Sequence, residues 1–291
     1  MGNFMTKDYW DERYANLELR LPEKAKTPKK LWKRVMVKLM GQWLREYNRS
    51  YLDYLVWDVI FRKYLPNGQG LKAIEIGSAP GLFAVRLMRD FGYVPYGVEY
   101  SSQGVEVNKR VFAANGIAED NVIHADIFSP EFRDAHRESF DVVFSWSFIE
   151  HFSEAVEPVK VHLELLKPGG TMVVVIPNHK GFNGWLLKIM NRELLEKHNV
   201  GIMDKAVFRG LFDLPGLSPL YCNHIGTFSL CLWNPSRAFV LRRLVNFLKR
   251  LDPCMGCFLR LIYGSKGFET KLSPWIVFIG KKQGADSAQE S

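Results

Sequence analysis

The chain has 291 residues, of which 47% are apolar, and its formal net charge is +8. This length and apolar content suit one large domain, or one domain with a cap. The longest apolar runs, such as 172–176 and 228–233, are too short to span a bilayer, and the residues after Met1 are polar rather than the apolar run of a secretory signal. Composition therefore argues against a membrane-spanning or secreted protein and predicts a cytoplasmic one.

The first 66 residues are predicted to form a helical cap. An aromatic and charged stretch, 8–14, lies near its start, and the helical period of 51–64 ends at Pro66-Asn67-Gly68. Between them, 29–47 repeats apolar residues at three- and four-residue steps with lysines interleaved. That period predicts a basic amphipathic helix.

The positive charge is concentrated in this cap. Residues 20–49 hold ten Lys or Arg and two Glu, so the rest of the chain is close to neutral. Such a segment either contacts an anionic surface or partner, or is a solvated helix that packs its apolar side on the domain. No RNA-binding module is visible, so we expect no nucleic-acid partner, and peripheral contact with an anionic membrane stays open.

Between residues 71 and 177, short apolar segments alternate with amphipathic ones. The predicted strands are 71–76, 94–99, 121–125, 140–145 and 171–176, and the predicted helices are 81–91, 102–115 and 154–167. Glycines just after these helices are typical of helix C-termini. Strands that are apolar on both faces, with helices between them, predict an α/β fold with a doubly wound parallel sheet.

The alternation stops after Pro177. Residues 178–217 show no clear strand and are predicted to form a lid over the sheet. Strands are predicted near 218–230 and at 275–281, and a basic amphipathic helix at 237–251 lies within a helical insertion, 234–272. The domain is expected to span 67–283, and the polar tail 284–291 is predicted to be disordered.

Acidic residues and glycines follow the predicted strands. Gly77 and Gly81 flank a tight turn in which a Cβ would block a ligand, and Glu75 beside it can accept a hydrogen bond from a cationic amine. Glu99 ends the second strand, where a carboxylate can accept both hydroxyl protons of a ribose. Asp126 follows the third strand and can accept from the exocyclic amine of an adenine.

These residues together resemble the class I S-adenosylmethionine-dependent methyltransferases, and within them the subgroup that acts on small molecules such as quinone precursors and sugars. The motifs that carry the resemblance are Glu75-x-Gly77-x-x-x-Gly81, Glu99, Ala125-Asp126, Phe140-Asp141-Val142-Val143, Ile149-Glu150-His151 and Leu166-Lys167-Pro168-Gly169-Gly170. The stretch Tyr9–Tyr14 is also similar to the start of that subgroup. The resemblance implies a Rossmann-like sheet of seven strands with an antiparallel last strand.

The resemblance also implies a cofactor, S-adenosyl-L-methionine, with S-adenosyl-L-homocysteine as product. Glu75 and the 77–81 loop are then expected to hold the methionine moiety, Glu99 the ribose and Asp126 the adenine. The full set of candidate cofactor residues is Glu75, Gly77, Ser78, Gly81, Glu99, Tyr100, Asp126, Ile127 and Ser145. Ala79 stands where a middle glycine is more usual, and it also breaks the glycine fingerprint of a nicotinamide dinucleotide site.

Three histidines are the candidate catalytic residues. Methyl transfer to an alcohol needs a base, and histidine is the side chain best suited to that role near neutral pH. His151 follows the fourth strand, whereas His179 and His198 lie in the predicted lid. We see no Asp/His cluster at ligand spacing and predict no metal, and the single CxxC motif at 254–257 is weak evidence for zinc.

The sequence thus predicts methylation of a small-molecule acceptor at a hydroxyl oxygen. The acceptor is expected to be a natural-product, quinone-like or sugar-like compound, and a lipid-linked one if the protein contacts a membrane. Methylation at nitrogen and a non-catalytic scaffold that binds the cofactor are the alternatives. The oligomeric state cannot be read from the sequence.

Overall fold

The computed structural model describes residues 4–17, 50–226, 239–267, 269 and 272–284. The predictions for the basic helix at 29–47, for 227–230 at the end of a strand, for the start of the helix at 237–251, and for most of the tail lie outside these residues.

The described chain forms a seven-stranded mixed sheet with helices on both faces. The strands are β1 (Lys72–Ile76), β2 (Val94–Glu99), β3 (Val122–His124), β4 (Phe140–Trp146), β5 (Leu166–Pro177), β6 (Leu217–Ile225) and β7 (Trp275–Lys282). Their order across the sheet is β3-β2-β1-β4-β5-β7-β6. Neighbours from β3 to β5 are parallel, whereas β7 is antiparallel to both β5 and β6. The predicted Rossmann-like sheet with an antiparallel last strand is confirmed.

The helices alternate with the strands as the sequence predicts. They are α1 (Lys7–Ala15), α2 (three continuous segments, Tyr51–Asp53, Tyr54–Phe61 and Arg62–Tyr64, the central one π-helical), α3 (Leu82–Phe91), α4 (Ser102–Ala114), α5 (Pro130–His136), α6 (Val156–Leu165), α7 (Gly181–Met190), α8 (Arg192–Glu196), α9 (Lys205–Gly210) and α10 (Phe239–Tyr263). Short 3₁₀ turns lie at Glu119–Asn121, Ile149–His151 and Val200–Met203. No described helix combines the length and apolarity that crossing a membrane requires.

The core has one layer on each face of the sheet, as the alternation along β4 shows. Val142 and Phe144 pack with Trp57 and other residues of α2, whereas Val143 packs on the opposite face with residues of α6 and α9. Each large apolar side chain buried in this way stabilises the fold by about 1.5–3 kcal/mol. Both faces of the central strands must therefore be apolar, which is why they read as continuous apolar runs.

Three elements differ from the prediction. β5 begins at Leu166, which pairs with Phe140 before a register shift, so the turn expected at 167–170 lies inside the strand. Helix α10 continues to Tyr263, twelve residues past its predicted end. Helix α5 was not predicted, although Ser129, whose side chain accepts from the Phe132 amide, and Pro130 form a recognisable helix start.

Asp141 lies at the amino end of β4. It forms an ion pair with Lys167 and accepts a hydrogen bond from the Lys72 amide at 2.8 Å. Asp141 therefore stabilises the edge of the sheet opposite the carboxyl ends of the strands.

Candidate active site

Two adjoining cavities lie at the carboxyl edge of the parallel strands. The larger has a volume of about 580 Å³ and the smaller about 90 Å³. They share wall residues from three strand ends: Gly77, Glu99, Tyr100, Phe148 and Phe152. The carboxyl edge of an open α/β sheet is where such folds bind their ligands.

Gly77 forms the floor between the two cavities. Its φ is +66°, in the left-handed region, and a Cβ built on it would approach the Phe148 ring to 2.6 Å. Only glycine fits both the backbone conformation and the space. The absence of a side chain here leaves room for the Phe148 ring, which lines both cavities.

Ser78 and Gly81, in the same loop, line neither cavity. The Ser78 hydroxyl accepts a hydrogen bond from Asn108 on α4, and a Cβ on Gly81 would collide with the Asn108 side chain. Gly81, at φ +89°, is also the N-cap residue of α3. These two candidates therefore fix the loop against α4, while Gly77 presents it to the cavities.

Glu99 is held in place by backbone amides. Its carboxylate accepts from the amides of Tyr100 at 3.0 Å, Ser101 at 2.9 Å and Ala79 at 3.3 Å. Burial raises the pKa of Glu99, and these three amides oppose that shift. A carboxylate fixed in this way at the wall of both cavities is preorganised to accept hydrogen bonds from a ligand.

Glu75 lies below the loop and lines neither cavity. Its carboxylate accepts from the Ala84 amide in the first turn of α3 at 2.9 Å. Complete burial raises the pKa of Glu75 well above its usual range. In this structure Glu75 anchors the start of α3.

Asp126 and Ile127 line the small cavity together with Tyr100. One oxygen of Asp126 accepts from the Phe128 amide at 2.9 Å, which fixes the turn after β3. The small cavity therefore offers a carboxylate at its mouth and an apolar wall, the pairing that a planar, amine-bearing ring needs.

Ser145 is the candidate that the structure places furthest from a ligand role. It is fully buried, and its hydroxyl bonds to His162 Nε2 at 2.9 Å, under α6. Neither cavity is lined by Ser145. A side-chain contact with the cofactor does not fit this position, because alternate residues of β4 point to opposite faces of the sheet.

Helix α1 closes one side of the large cavity. The Tyr14 hydroxyl donates to the Ala79 carbonyl at 3.1 Å, and Asp11 accepts from the Ser101 hydroxyl at 2.6 Å and from the Gln103 amide at 3.1 Å. The Ser101 hydrogen bond holds the pKa of Asp11 below its usual value. Trp10, Arg13 and Tyr14 line the cavity but were not among the predicted site residues; the motif 9–14 was the signal that could have found them.

The other side of the large cavity is aromatic. Trp146 stacks on Phe83 with ring centroids 4.6 Å apart, meets Trp275 edge-on at 5.0 Å, and is parallel to Trp57 at 6.4 Å. All four side chains line the cavity, together with Leu52 and Val56. This half of the cavity suits an apolar or aromatic body.

The three candidate histidines meet at the wall of the large cavity. The rings of His151 and His198 are 4.7 Å apart, those of His179 and His198 are 4.9 Å apart, and Trp10 covers His151 at 5.4 Å. The predicted lid supplies two of these rings and the turn after β4 supplies the third. The structure thus brings together residues that the sequence separates.

Burial controls the charge of this cluster. It lowers the pKa of His151 and of His179 to about 3 and also lowers that of His198, so all three rings are neutral near pH 7. Burial raises the pKa of the neighbouring Glu150 to about 8. An imidazole with so low a pKa is a weak proton acceptor, so burial argues against His151 or His179 as a simple base.

Residues 40–206, more than half of the chain, match the family described as methyltransferase domain. The chain belongs to the methyltransferase domain family. The predicted membership of the methyltransferases is confirmed.

Curated relatives are similar over less than half of this chain. The chain is 30% identical over 112 residues to the tRNA U34 carboxymethyltransferase of Desulfotalea psychrophila, covering 38% of this chain and 34% of that protein. It is 25% identical over 126 residues to the ubiquinone biosynthesis O-methyltransferase of Citrobacter koseri, covering 43% of this chain and 50% of that protein. The chain thus spans a third to a half of the length of these relatives.

Solved structures share the fold. The geranyl diphosphate C-methyltransferase of Streptomyces coelicolor A3(2), in complex with Mg²⁺, geranyl-S-thiolodiphosphate and S-adenosyl-L-homocysteine, aligns over 97% of this chain and 100% of its own. The TM-score is 0.56 and the identity 13%. The MccD protein aligns with a TM-score of 0.52 and 11% identity, over 79% of this chain and 97% of its own. At these identities the likeness concerns the fold alone.

Proposed function

We propose that this methyltransferase transfers a methyl group to a hydroxyl oxygen of a small acceptor that has an apolar or aromatic body. The observation that carries the proposal is the composition of the large cavity. One continuous space joins the glycine floor and Glu99 to an aromatic half and to the histidine cluster.

The cavities fit the cofactor. Bound S-adenosyl-L-methionine supplies an electrophilic methyl group on a positively charged sulfur. Gly77 leaves room for the cofactor at the strand end, Glu99 accepts hydrogen bonds from its ribose hydroxyls, and Asp126 accepts one from its adenine amine.

Arg13 is the counter-ion that we assign to the cofactor carboxylate. It is the one Lys or Arg side chain among the described residues that line the large cavity. Its guanidinium lies over the Trp10 ring at 5.5 Å, which holds it at the wall. Arg13 is exposed, so the pair would lie at the solvent edge of the cavity, where such a pair contributes up to about 1 kcal/mol.

The aromatic half selects the acceptor. Stacking and edge contacts with Trp57, Trp146 and Trp275 favour a planar ring or a hydrocarbon chain over a free sugar. A cavity of this kind also excludes water from the reacting atoms, which methyl transfer requires. The similarity to a ubiquinone biosynthesis O-methyltransferase supports oxygen as the methyl-accepting atom.

The reaction is an in-line displacement. The wall residues hold the acceptor so that its oxygen faces the methyl carbon and the sulfur. The oxygen forms the new bond to carbon while the carbon–sulfur bond breaks with its electron pair staying on sulfur. The hydroxyl proton passes to solvent, because burial makes His151 and His179 weak proton acceptors.

Calorimetric titration with S-adenosyl-L-homocysteine tests the cofactor site. We expect wild type to bind and Glu99→Ala to lose at least about tenfold in affinity, because the ribose loses a charged acceptor worth about 1.5–3 kcal/mol. Glu106→Ala, an exposed glutamate on α4, is the matched control. Equal affinity in wild type and Glu99→Ala would contradict the assigned role.

An acceptor screen tests the reaction. We expect hydroxylated aromatics with hydrocarbon side chains to release S-adenosyl-L-homocysteine and to gain one methyl at oxygen, as mass spectrometry and NMR report. Amine analogues and lipid-linked sugars are run beside them. Turnover of the amines alone would replace this proposal with N-methylation, and cofactor binding without turnover of any class would favour a non-catalytic scaffold.

A further inference from the structure

Glu150, His151 and His198 present three potential metal ligands to one point. Their ligand atoms all lie within 4.8 Å of one another, and His151 Nε2 is 3.9 Å from a Glu150 oxygen. The sequence shows no such cluster because His198 is distant along the chain. The Asn199 amide donates to the Glu150 carbonyl at 2.7 Å, and its side chain donates to the Phe152 carbonyl at 3.1 Å, which joins the two segments.

The two imidazoles are oriented as metal ligands are. His151 Nδ1 bonds to the Lys197 carbonyl at 3.2 Å, and His198 Nδ1 bonds to the Leu194 carbonyl at 2.5 Å. A ring nitrogen that donates to a backbone carbonyl fixes the tautomer and makes Nε2 the basic atom. Both rings therefore direct their second nitrogen to coordination.

Glu150 supplies an independent observation. The residue has no exposed surface, and neither of its carboxylate oxygens has a hydrogen bond of normal geometry. The Ser147 hydroxyl and the Phe148 amide lie close enough to oppose the effect of burial on the pKa of Glu150, but burial still raises that pKa. His179 Nδ1, on the neighbouring ring, is likewise buried without a partner. A buried carboxyl that is so weakly satisfied is costly, and a cation would satisfy it.

We propose that Glu150, His151 and His198 bind a divalent transition-metal ion at the wall of the large cavity. Two imidazoles and one carboxylate suit Zn²⁺, Mn²⁺ or Fe²⁺ better than Mg²⁺, which prefers oxygen ligands. Three protein ligands leave a coordination position open, as in catalytic zinc sites. Metal–ligand bonds of about 2.0–2.2 Å require the ligand atoms to move closer by about 1 Å, which side-chain rotation supplies.

The metal would act on the acceptor, and this step rests on the proposed function. Because His151 and His198 line the large cavity, the open position faces the acceptor hydroxyl. Coordination lowers the pKa of that hydroxyl, so that its proton leaves to solvent before the oxygen attacks the methyl carbon.

Metal binding is tested without acceptor or turnover. The full-length protein is treated with a chelator, dialysed and titrated with Zn²⁺ by calorimetry and with Co²⁺ by visible absorption. We expect one ion per chain and a Co²⁺ spectrum of nitrogen and oxygen ligands. His198→Gln and Glu150→Gln should each weaken Zn²⁺ binding by more than about 100-fold, since even second-shell losses cost 10–100-fold.

His136→Gln is the matched control, because His136 lies on α5 outside the cluster. Circular dichroism and the affinity for S-adenosyl-L-homocysteine are measured on the same samples, to show that each variant is folded. His198→Gln keeps the test decisive if Glu150→Gln does not fold, because His198 is the less buried residue.

The outcomes separate the two proposals. Stoichiometric binding that His198→Gln loses and His136→Gln keeps supports the metal site. A folded wild type that binds S-adenosyl-L-homocysteine but no stoichiometric metal overturns the site and leaves the proposed function standing. If the metal binds and the cofactor does not, the site stands and the proposed function fails.

Discussion

At the scale of single residues, Gly77 leaves the space that the Phe148 ring fills between the two cavities. Gly116 has a similar left-handed backbone conformation but different surroundings: Gly77, at φ +66°, faces Phe148, whereas a Cβ on Gly116, at φ +74°, would meet nothing within 4 Å. Comparing alanine variants at these two positions therefore distinguishes the effect of backbone strain from the effect of a steric clash.

We expect Gly116→Ala to lose about 1–2 kcal/mol of unfolding free energy, the cost of a left-handed alanine. Gly77→Ala should lose more, because its methyl also collides with the Phe148 ring. Only Gly77→Ala should also lose cofactor affinity, by at least about tenfold, since its methyl would displace the Phe148 ring that lines both cavities. Chemical denaturation and titration with S-adenosyl-L-homocysteine measure the two effects. Equal cofactor affinity in both variants would show that Gly77 does not contact the cofactor.

His162 makes stability depend on pH. The ring is fully buried between the Pro158 carbonyl and the Ser145 hydroxyl, and burial lowers its pKa from 6.5 to about 4. In the unfolded state His162 binds a proton near pH 6.5, whereas in the folded state it does so only near pH 4. The contribution of neutral His162 to the unfolding free energy is therefore complete above pH 6.5 and is lost as the pH falls toward 4. The loss amounts to about 3 kcal/mol across that window.

Between pH 6.5 and 4 the unfolding free energy of wild type should fall more steeply with pH than that of His162→Gln. At the midpoint of this range the difference in slope should correspond to about one extra proton bound by the unfolded state of wild type. Urea denaturation at several pH values measures both slopes. Parallel curves would mean that His162 accepts a proton in the folded state as readily as in the unfolded one.

At the scale of elements, α1 is a wall that is attached at a few points. Asp11 receives two hydrogen bonds from the start of α4, whereas Asp8 on the same helix is exposed. We expect Asp11→Ala to raise amide hydrogen exchange across 7–15 and to weaken cofactor binding about fivefold, the loss of about one net hydrogen bond, while Asp8→Ala does neither. If Asp11→Ala leaves hydrogen exchange unchanged, the hydrogen bond from Tyr14 to the Ala79 carbonyl must hold α1 in place instead.

The elements themselves were largely predictable, because local pattern determines them. The apolar strands and the glycines after the helices gave the order from β1 to β4 and helices α3, α4 and α6 within a few residues. The register of β5 was not predictable, since it depends on where Leu166 pairs with Phe140 across the sheet. Local sequence patterns do not determine such a pairing between two strands.

At the scale of the whole molecule, the sequence predicted which strand ends meet but not how each side chain points. Glu99 and Asp126 line cavities as expected, whereas Ser78 and Ser145 bond to Asn108 and His162. Such choices depend on partners from distant helices. The histidine cluster also depends on distant partners, because it forms only when residues 179–198 pack against the turn that follows β4.

The outer surface of the molecule carries apolar side chains that the core does not use. Ile189 on α7 and Phe258 and Leu261 on α10 are 65%, 63% and 74% exposed. The sequence of α10 also holds five Lys or Arg against one Asp. An exposed apolar face with basic neighbours is typical of helices that lie on anionic membranes.

We propose that the exposed face of α10, with Phe258 and Leu261, brings the enzyme to anionic lipid, and vesicle flotation tests it. Wild type should float with vesicles that contain anionic lipid, should stay down with neutral ones, and should be released as salt screens the charges. The double variant Phe258→Ser/Leu261→Ser should float less, whereas Val207→Ser, which changes an exposed valine on α9, should not differ from wild type. Wild type that remains in the bottom fraction with anionic vesicles would refute membrane contact, and the aromatic cavity would then have to draw its acceptor from water.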